Sequence, residues 1–182
     1  MDQYEAVIKL LIEAVKESVS EGTDDTIPVG VSNRHVHLSQ KDLETLFGPG
    51  YELAKMKDLS QPGQYACKET VNICGPKGAI EKVRILGPVR GRTQVEILAG
   101  DSFKLGIKPT AKLSGDLDGT PGVTIIGPKG SVQTKEGVMV AQRHIHMLPE
   151  DAARLGVHDG QNVSLEVDGI RGGVLRNTIV RV

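Results

Sequence analysis

Val31-Ser-Asn-Arg-His-Val-His-Leu38 and Val140-Ala-Gln-Arg-His-Ile-His-Met147 are two copies of one element in a chain of 182 residues. The match continues downstream, because Leu38-Ser-Gln-Lys-Asp-Leu43 and Met147-Leu-Pro-Glu-Asp-Ala152 stay in register, with Asp42 opposite Asp151. Each copy then runs into a short helical pattern that ends near Gly48 or Gly156. A strand followed by a short helix, occurring twice, marks an internal duplication. In an extended segment residues i and i+2 face the same way, so His35 and His37 present two imidazoles on one face, as do His144 and His146. Four of the five histidines fall in these two pairs at equivalent places, which favours two bidentate metal ligands over unrelated structural pairs.

Between and after the two copies, short β-rich runs alternate with turn signals. Thr70–Ile73 and Ile80–Leu86 flank Gly75-Pro-Lys-Gly78, while Val123–Ile126 and Ser131–Gln133 flank Gly127-Pro-Lys-Gly130. Pro at the second position and Gly at the fourth suit a type I turn. Further strands are predicted at Gln94–Leu98, Val138–Ala141, Asn162–Val167 and Asn177–Val182. The sum predicts a mainly β protein with short helices: two pseudo-symmetric small β-barrels, residues 27–115 and 116–182, joined near Gly115–Gly122, with strand exchange allowed and the active site at their interface.

Upstream the pattern changes. Tyr4, Val7, Ile8, Leu11, Ile12, Val15 and Val19 recur at helical spacing, with Glu5, Lys9, Glu13, Lys16 and Glu17 opposite, so residues 1–20 are predicted to form an amphipathic helix. The polar residues 21–26 read as a linker. Such a helix either packs on its own body or a dimer partner, or docks as a peptide in another protein's groove.

Composition narrows the function. Aromatic residues make up 3% of the chain and Trp is absent, so the core rests on Val, Ile, Leu and Ala, with 22 Gly and 9 Pro for turns. A net charge of −1, from 22 basic and 23 acidic residues spread along the chain, lacks the positive footprint of a nucleic-acid binder. The absence of a membrane-length apolar run and of a secretory leader pattern predicts a cytoplasmic protein with no membrane partner. Cys67 and Cys74, seven apart, match neither a C-x-x-C pair nor a disulfide framework and read as reduced, structural thiols.

Neutral imidazole with carboxylate suits zinc first, then cobalt, nickel or ferrous iron, and the lack of positioned thiolates argues for an open, catalytic metal rather than a closed structural one. The H-x-H spacing also begins the cupin pattern, but the Glu that pattern needs four or five residues later is not there. Glu96, in the alternating Thr93-Gln-Val-Glu-Ile-Leu98, is the strongest carboxylate candidate. Arg90 and Arg92 just before it are candidates for a phosphate or carboxylate substrate, surface arginine being the competing reading. Leu113-Ser-Gly-Asp-Leu-Asp-Gly-Thr-Pro-Gly122 is a loop able to aim N–H groups and Ser114 at an anion. His158, in Val157-His-Asp-Gly160, reads as a turn residue. No Walker motif, dinucleotide fingerprint or G-x-S-x-G elbow occurs.

Arg34-His-Val-His37, Gln94-Val-Glu96, Ser114-Gly-Asp116 and Arg143-His-Ile-His-Met147, in that order from about Ile27 to Val182, resemble the PduL-type phosphate propanoyltransferase family, phosphotransacylases of bacterial microcompartments and some acetogens. The resemblance implies two barrels around a dinuclear zinc site and transfer of a short acyl group, propanoyl or acetyl, between coenzyme A and phosphate. It further implies that His35 and His37 hold one zinc, that Glu96, His144 and His146 hold the second, that Arg90 contacts phosphate and that Ser114 lies near the reacting groups. The implied ligands are acyl-CoA, CoA and phosphate, and the implied partners are microcompartment shell or core proteins reached through residues 1–20. That family continues past Val182 with H-x-D-x-D-E-A-N, whose His is a further ligand, so a C-terminal segment is expected beyond this sequence. Lys112 stands where the family has Arg before Ser-Gly-Asp, which keeps the charge and loses bidentate geometry. Two rival readings of the same residues are a dinuclear metallohydrolase of phosphate esters or thioesters and a non-catalytic metal-binding module.

Overall fold

The computed structural model describes residue 27 and residues 29–182; the helix expected at 1–20 and the linker at 21–26 lie outside them. Ser32–Val182 form one compact unit. It opens with β1 (His35–His37) and α1 (Gln40–Phe47), followed by β2 (Lys55–Asp58) and a long hairpin of β3 (Tyr65–Gly75) and β4 (Gly78–Gly87). Next come β5 (Gln94–Glu96), α2 (Asp101–Leu105), β6 (Thr110–Lys112), the hairpin of β7 (Thr124–Ile126) and β8 (Ser131–Gln133), and β9 (Val138–Ala141). The opening is then repeated by β10 (His144–His146), α3 (Pro149–Arg154) and a hairpin of β11 (Asn162–Val167) and β12 (Gly173–Arg181).

Nine strands form the larger sheet in the order β6-β9-β5-β1-β4-β3-β7-β8, with β2 paired to β3, and the order β10-β12-β11 forms the smaller. Strands from both expected halves share the larger sheet, since β9 lies between β5 and β6. No closed barrel is present among the described residues: no pairing joins β6 to β8 or β10 to β11. The expected pair of barrels is replaced by two open sheets. Closure needs a continuous ladder between the end strands, and β6 and β8 are three residues each.

The duplication is nevertheless visible pair by pair. β1 runs parallel to β4, with His35 opposite Arg84, and β10 runs parallel to β12, with His144 opposite Ile179. Both hairpins slip in register, at Val163/Leu165 in β11 and at Val71/Ile73 in β3, where a second slip lies between Ala66 and Thr70. Opposite the Val71/Ile73 and Val163/Leu165 slips stand non-glycine residues with positive φ, Lys82 at 55° and Asn177 at 56°. Each lies two residues before the partner of the first histidine, so the same bulge re-aims the same strand twice. The helices differ at their starts. Ser39 caps α1 by accepting from the Asp42 N–H at 3.2 Å, whereas α3 has Leu148 there and Pro149 in its first turn.

The core lies under the larger sheet. Val36 and Leu38 around β1, Leu43 and Leu46 one turn apart on α1, and Ile73, Ile85 and Ile125 from the sheet are all at most 1% exposed. Burying each such side chain contributes on the order of 1.5–3 kcal/mol. Around the second copy Ile145, Ala152, Thr178 and Val180 are buried, while β11 alternates exposed and half-buried residues. Three elements were not anticipated. β2 is Lys-Met-Lys-Asp, exposed throughout, a charged edge with no apolar alternation; β6 and α2 span three and five residues, too short for a periodic signal. No helix among the described residues is long and apolar enough to cross a membrane.

α2 packs on the tip of the β3–β4 hairpin so closely that a Cβ on Gly75 would lie 2.2 Å from the Leu105 carbonyl oxygen. Gly75→Ala is therefore expected to lower stability by about 1–3 kcal/mol in urea unfolding, the cost of overpacking a backbone contact. Gly173→Ala, where an added Cβ meets nothing within 4 Å, is expected to stay within about 0.5 kcal/mol of the parent.

Candidate metal and anion site

β1 is a central strand, bonded to β4 on one side and β5 on the other, and its alternation divides its three residues. Val36 enters the core at 0% exposure and His35 and His37 share the opposite face. His35 stands directly across from Glu96 in the β1–β5 ladder, and its Nε2 lies 3.4 Å from Glu96 Oε2. One donor atom from each of His35, His37 and Glu96 falls within 4.8 Å of the others, and this is the one cluster of three or more such residues among those described.

The ring orientations suit ligation. His35 Nδ1 lies 2.9 Å from the Asn33 carbonyl and His144 Nδ1 lies 2.7 Å from the Gln142 carbonyl, equivalent contacts in the two copies. A carbonyl can only accept, so Nδ1 carries a proton in each ring and Nε2 is the nitrogen left for other partners, Glu96 in the case of His35. His37 differs: its Nδ1 is buried with no hydrogen-bond partner. An orphaned imidazole nitrogen beside a carboxylate and a second imidazole is what a bound cation would satisfy, and the donor set of two nitrogens and one oxygen fits a zinc-like ion.

Burial and charge act together on these groups. Burial drives the His37 pKa down to about 3, helped by the positive charge of Arg90 and by His35, so the ring is neutral and ligand-ready. Burial also opposes charge on His35, but the hydrogen bond and charge of Glu96 outweigh it and raise its pKa. Glu96 itself is buried, which favours the neutral acid, yet His35, His37 and His144 hold its pKa down to about 2. His146 is lowered by burial first, then by His144 and Arg181, with Glu96 opposing. Gln61, from the loop between β2 and β3, donates from its amide to the His146 ring at 2.8 Å.

An arginine, a glutamine and a serine adjoin this cluster. The Arg90 N–H donates to the Leu38 carbonyl at 2.8 Å, which ties the strand β4–β5 connection to the end of β1. Its Nη1 donates to Ser114 Oγ at 3.0 Å. Gln94, 1% exposed, donates from Nε2 to Glu96 Oε1 at 2.6 Å and to Ser114 Oγ at 2.8 Å, and its Oε1 accepts from the Gly115 N–H at 2.9 Å. Lys112 holds the same loop from outside through Asp116 Oδ1 at 2.9 Å and the Asp118 carbonyl at 2.7 Å.

The sequence candidates thus separate. His35, His37 and Glu96 come together, with Arg90 and Ser114 linked to them through Gln94; His144 acts on Glu96 by charge and Glu96 on His146, while the carboxylate stands against the first pair. Arg92 turns to the surface, paired with Asp118 and Glu136. His158 is an exposed turn residue on the Asp159 carbonyl, Cys74 is half-buried, and Cys67 is a buried thiol pushed up to about 11 by burial and Glu69. Arg34 serves the fold: Nε and Nη2 each donate at 2.8 Å to Asp101, clamping β1 to α2. Two residues escaped sequence reasoning. Gln94 was read only as part of a motif, although a polar residue in a buried three-residue strand was a usable signal. Arg181, opposite His146 in the β10–β12 ladder, acts by charge on Arg90 and His146 and carried no local signal.

A family model described as phosphate propanoyltransferase matches residues 28–182. The phosphate propanoyltransferase of Rhodobacter capsulatus is 55% identical over 175 residues, 95% of this chain and 81% of the relative. That of Thermotoga maritima is 59% identical over 157 residues, 86% of this chain and 75% of the relative. That of Rhodopseudomonas palustris is 57% identical over 156 residues, 86% of this chain and 69% of the relative. The class these relatives define is an acyltransferase. The chain belongs to the phosphate propanoyltransferase family.

His37 and Glu96 make the metal-free protein acid-sensitive. The His37 pKa of about 3 lies below its ordinary 6.5, so the unfolded chain takes up a proton first and stability falls as pH drops below 6.5. Glu96 acts in the same direction lower down, its contribution complete above its ordinary 4.5 and lost toward 2; His35, raised, opposes both near neutrality. In chelator, His37→Gln is expected to flatten the urea midpoint against pH between 6.5 and 5, by up to about 1.4 kcal/mol per pH unit. An unchanged slope would remove His37 as its source.

Proposed function

We propose that the chain transfers a short acyl group, propanoyl or acetyl, between coenzyme A and inorganic phosphate at a site that holds two zinc ions. The observation that supports this most is the single hydrogen-bonded unit in which Gln94 connects a metal-type cluster, His35, His37 and Glu96, to an arginine and a hydroxyl, Arg90 and Ser114. His35 and His37 would hold one ion, and His144 and His146 the other. Glu96, against the first pair and within the electrostatic reach of His144, is available to either. Bound zinc supplies positive charge for a developing oxyanion and a soft acceptor for the coenzyme A sulfur.

The rest is done by the chain. Arg90 is a permanent cation in a half-buried setting, where its charge on a phosphate oxygen counts for more than at the surface. Ser114, held by two donors, supplies a neutral hydrogen bond beside it. Together they orient phosphate so that one oxygen attacks the thioester carbonyl, the C–S bond breaks and coenzyme A leaves as the thiolate. Cys67 is no nucleophile for a covalent route: burial keeps its thiol protonated, with a pKa of about 11. Residues 1–20 would serve as a docking peptide inside a bacterial microcompartment, separable from catalysis.

The test is coenzyme A release from propanoyl-CoA by the zinc-loaded protein. Release is expected to require phosphate, to stop on chelation and to return with zinc, while rapid quench finds no acylated cysteine. Release at full rate without phosphate would make the protein a hydrolase. Arg90→Lys is expected to lower kcat/KM for phosphate about 100-fold, since a point charge replaces a planar fork. Metal content is expected to fall as pH drops through the histidine range.

A further inference from the structure

Ser114 Oγ sits in an unusual hydrogen-bond position for a hydroxyl. It has two lone pairs and one hydrogen, and both lone pairs are occupied, one by Arg90 Nη1 at 3.0 Å and one by Gln94 Nε2 at 2.8 Å. The Arg90 side cannot be reversed, because a guanidinium only donates. The Gln94 side could be reversed by turning the amide over, and the chain forbids it. Gln94 Oε1 accepts the Gly115 N–H at 2.9 Å, and Nε2 donates to the Glu96 carboxylate at 2.6 Å. A turned amide would set N–H against N–H at Gly115 and oxygen against carboxylate at Glu96. Each of these costs a buried, unsatisfied group, about 1–3 kcal/mol. Gln94 is 1% exposed, so water cannot repair either.

We propose that Gln94 is a positioning residue for acyl transfer: its locked amide makes Ser114 an obligate donor, with the hydroxyl hydrogen free for an acceptor oxygen of the substrate. This rests on the phosphotransacylase reading above. Ser114 is the group that touches substrate, and Gln94 acts through it. Without the Gln94 donor, the serine hydroxyl regains a free lone pair and a choice of rotamers, and its hydrogen is no longer committed to the site. The amide also occupies Glu96 Oε1 and leaves Oε2 to face His35. One buried side chain therefore holds the serine and one carboxylate oxygen at once.

The experiment is a double-mutant cycle on the zinc-loaded protein, scored by phosphate-dependent coenzyme A release, with zinc content and thermal unfolding measured on every variant. Gln94→Met keeps the length and apolar volume and removes the donor. Gln94→Asn keeps an amide but is one methylene short of Ser114, and serves if the Met variant fails to fold. Ser114→Ala alone is expected to lose about 100- to 1000-fold in kcat, in the range of a lost transition-state donor. Gln94→Met is expected to lose a similar factor in kcat with little change in KM for acyl-CoA, and less than about 3-fold further when Ser114 is already Ala. Zinc content is expected to stay at the parent value.

Losses in the two variants that multiply independently overturn the proposal, as does full activity in a folded Gln94→Met or Gln94→Asn protein. Loss of zinc from the Gln94 variants also overturns it, since the residue would then act through Glu96. A fully active Ser114→Ala overturns it as well, whereas a parent protein without phosphate-dependent transfer sinks the functional reading on which the proposal stands.

Discussion

The alternation of side chains across β1 is the constraint on which the site depends. Three residues lie between two neighbouring strands, with Val36 committed to the core at 0% exposure. A slip of one residue would bury both imidazoles in the apolar layer and expel the valine, so the core that stabilises the sheet also fixes where the histidines point. The same ladder then decides which carboxylate they meet, because Glu96 is the residue paired across from His35. The geometry of the candidate site and the stability of the fold are thereby coupled at one strand.

Buried charge is the cost of this arrangement. Glu96 is a carboxylate kept ionised inside the protein by a ring of cationic or cation-forming groups, while His37 is an imidazole kept neutral by the same burial. An ion placed among them would compensate the carboxylate and the orphaned nitrogen at once, which is why an arrangement that is strained alone is suitable for ligation. Arg90 and Arg181 bring further positive charge to the same place, suited to a substrate of several negative charges.

The two copies of the repeat have diverged in what supports them. The first copy is capped by Ser39, clamped through Arg34 and Asp101, and backed by the buried side chains of α1 and the larger sheet. In the second copy, Arg143 donates instead to the Arg176 carbonyl and α3 has no side-chain cap. The register slip and the positive-φ residue survive in both, which marks the bulged hairpin as the conserved mechanical part of the unit, the part that aims a parallel strand.

Much was legible in the sequence because it was local. The i, i+2 pairing of histidines, the turn chemistry of the two Gly-Pro-Lys-Gly segments, the short helices after each pair and most strands follow from periodicity and from residue types that allow few conformations. The family resemblance added a named chemistry to Arg90, Ser114 and Glu96. What tertiary structure decided was non-local: two open sheets rather than two barrels, Glu96 against the first histidine pair, Arg92 turned outward while Arg90 turned in, and Gln94 as the connection between carboxylate and serine. Those outcomes rest on which strands become neighbours, and strand pairing across many residues leaves no periodic trace along the chain. The sequence by itself determined which groups share a face; only the register of β1, β4, β5 and β12 determined which groups those faces meet, because hydrogen-bonded ladders set distances that residue order does not encode.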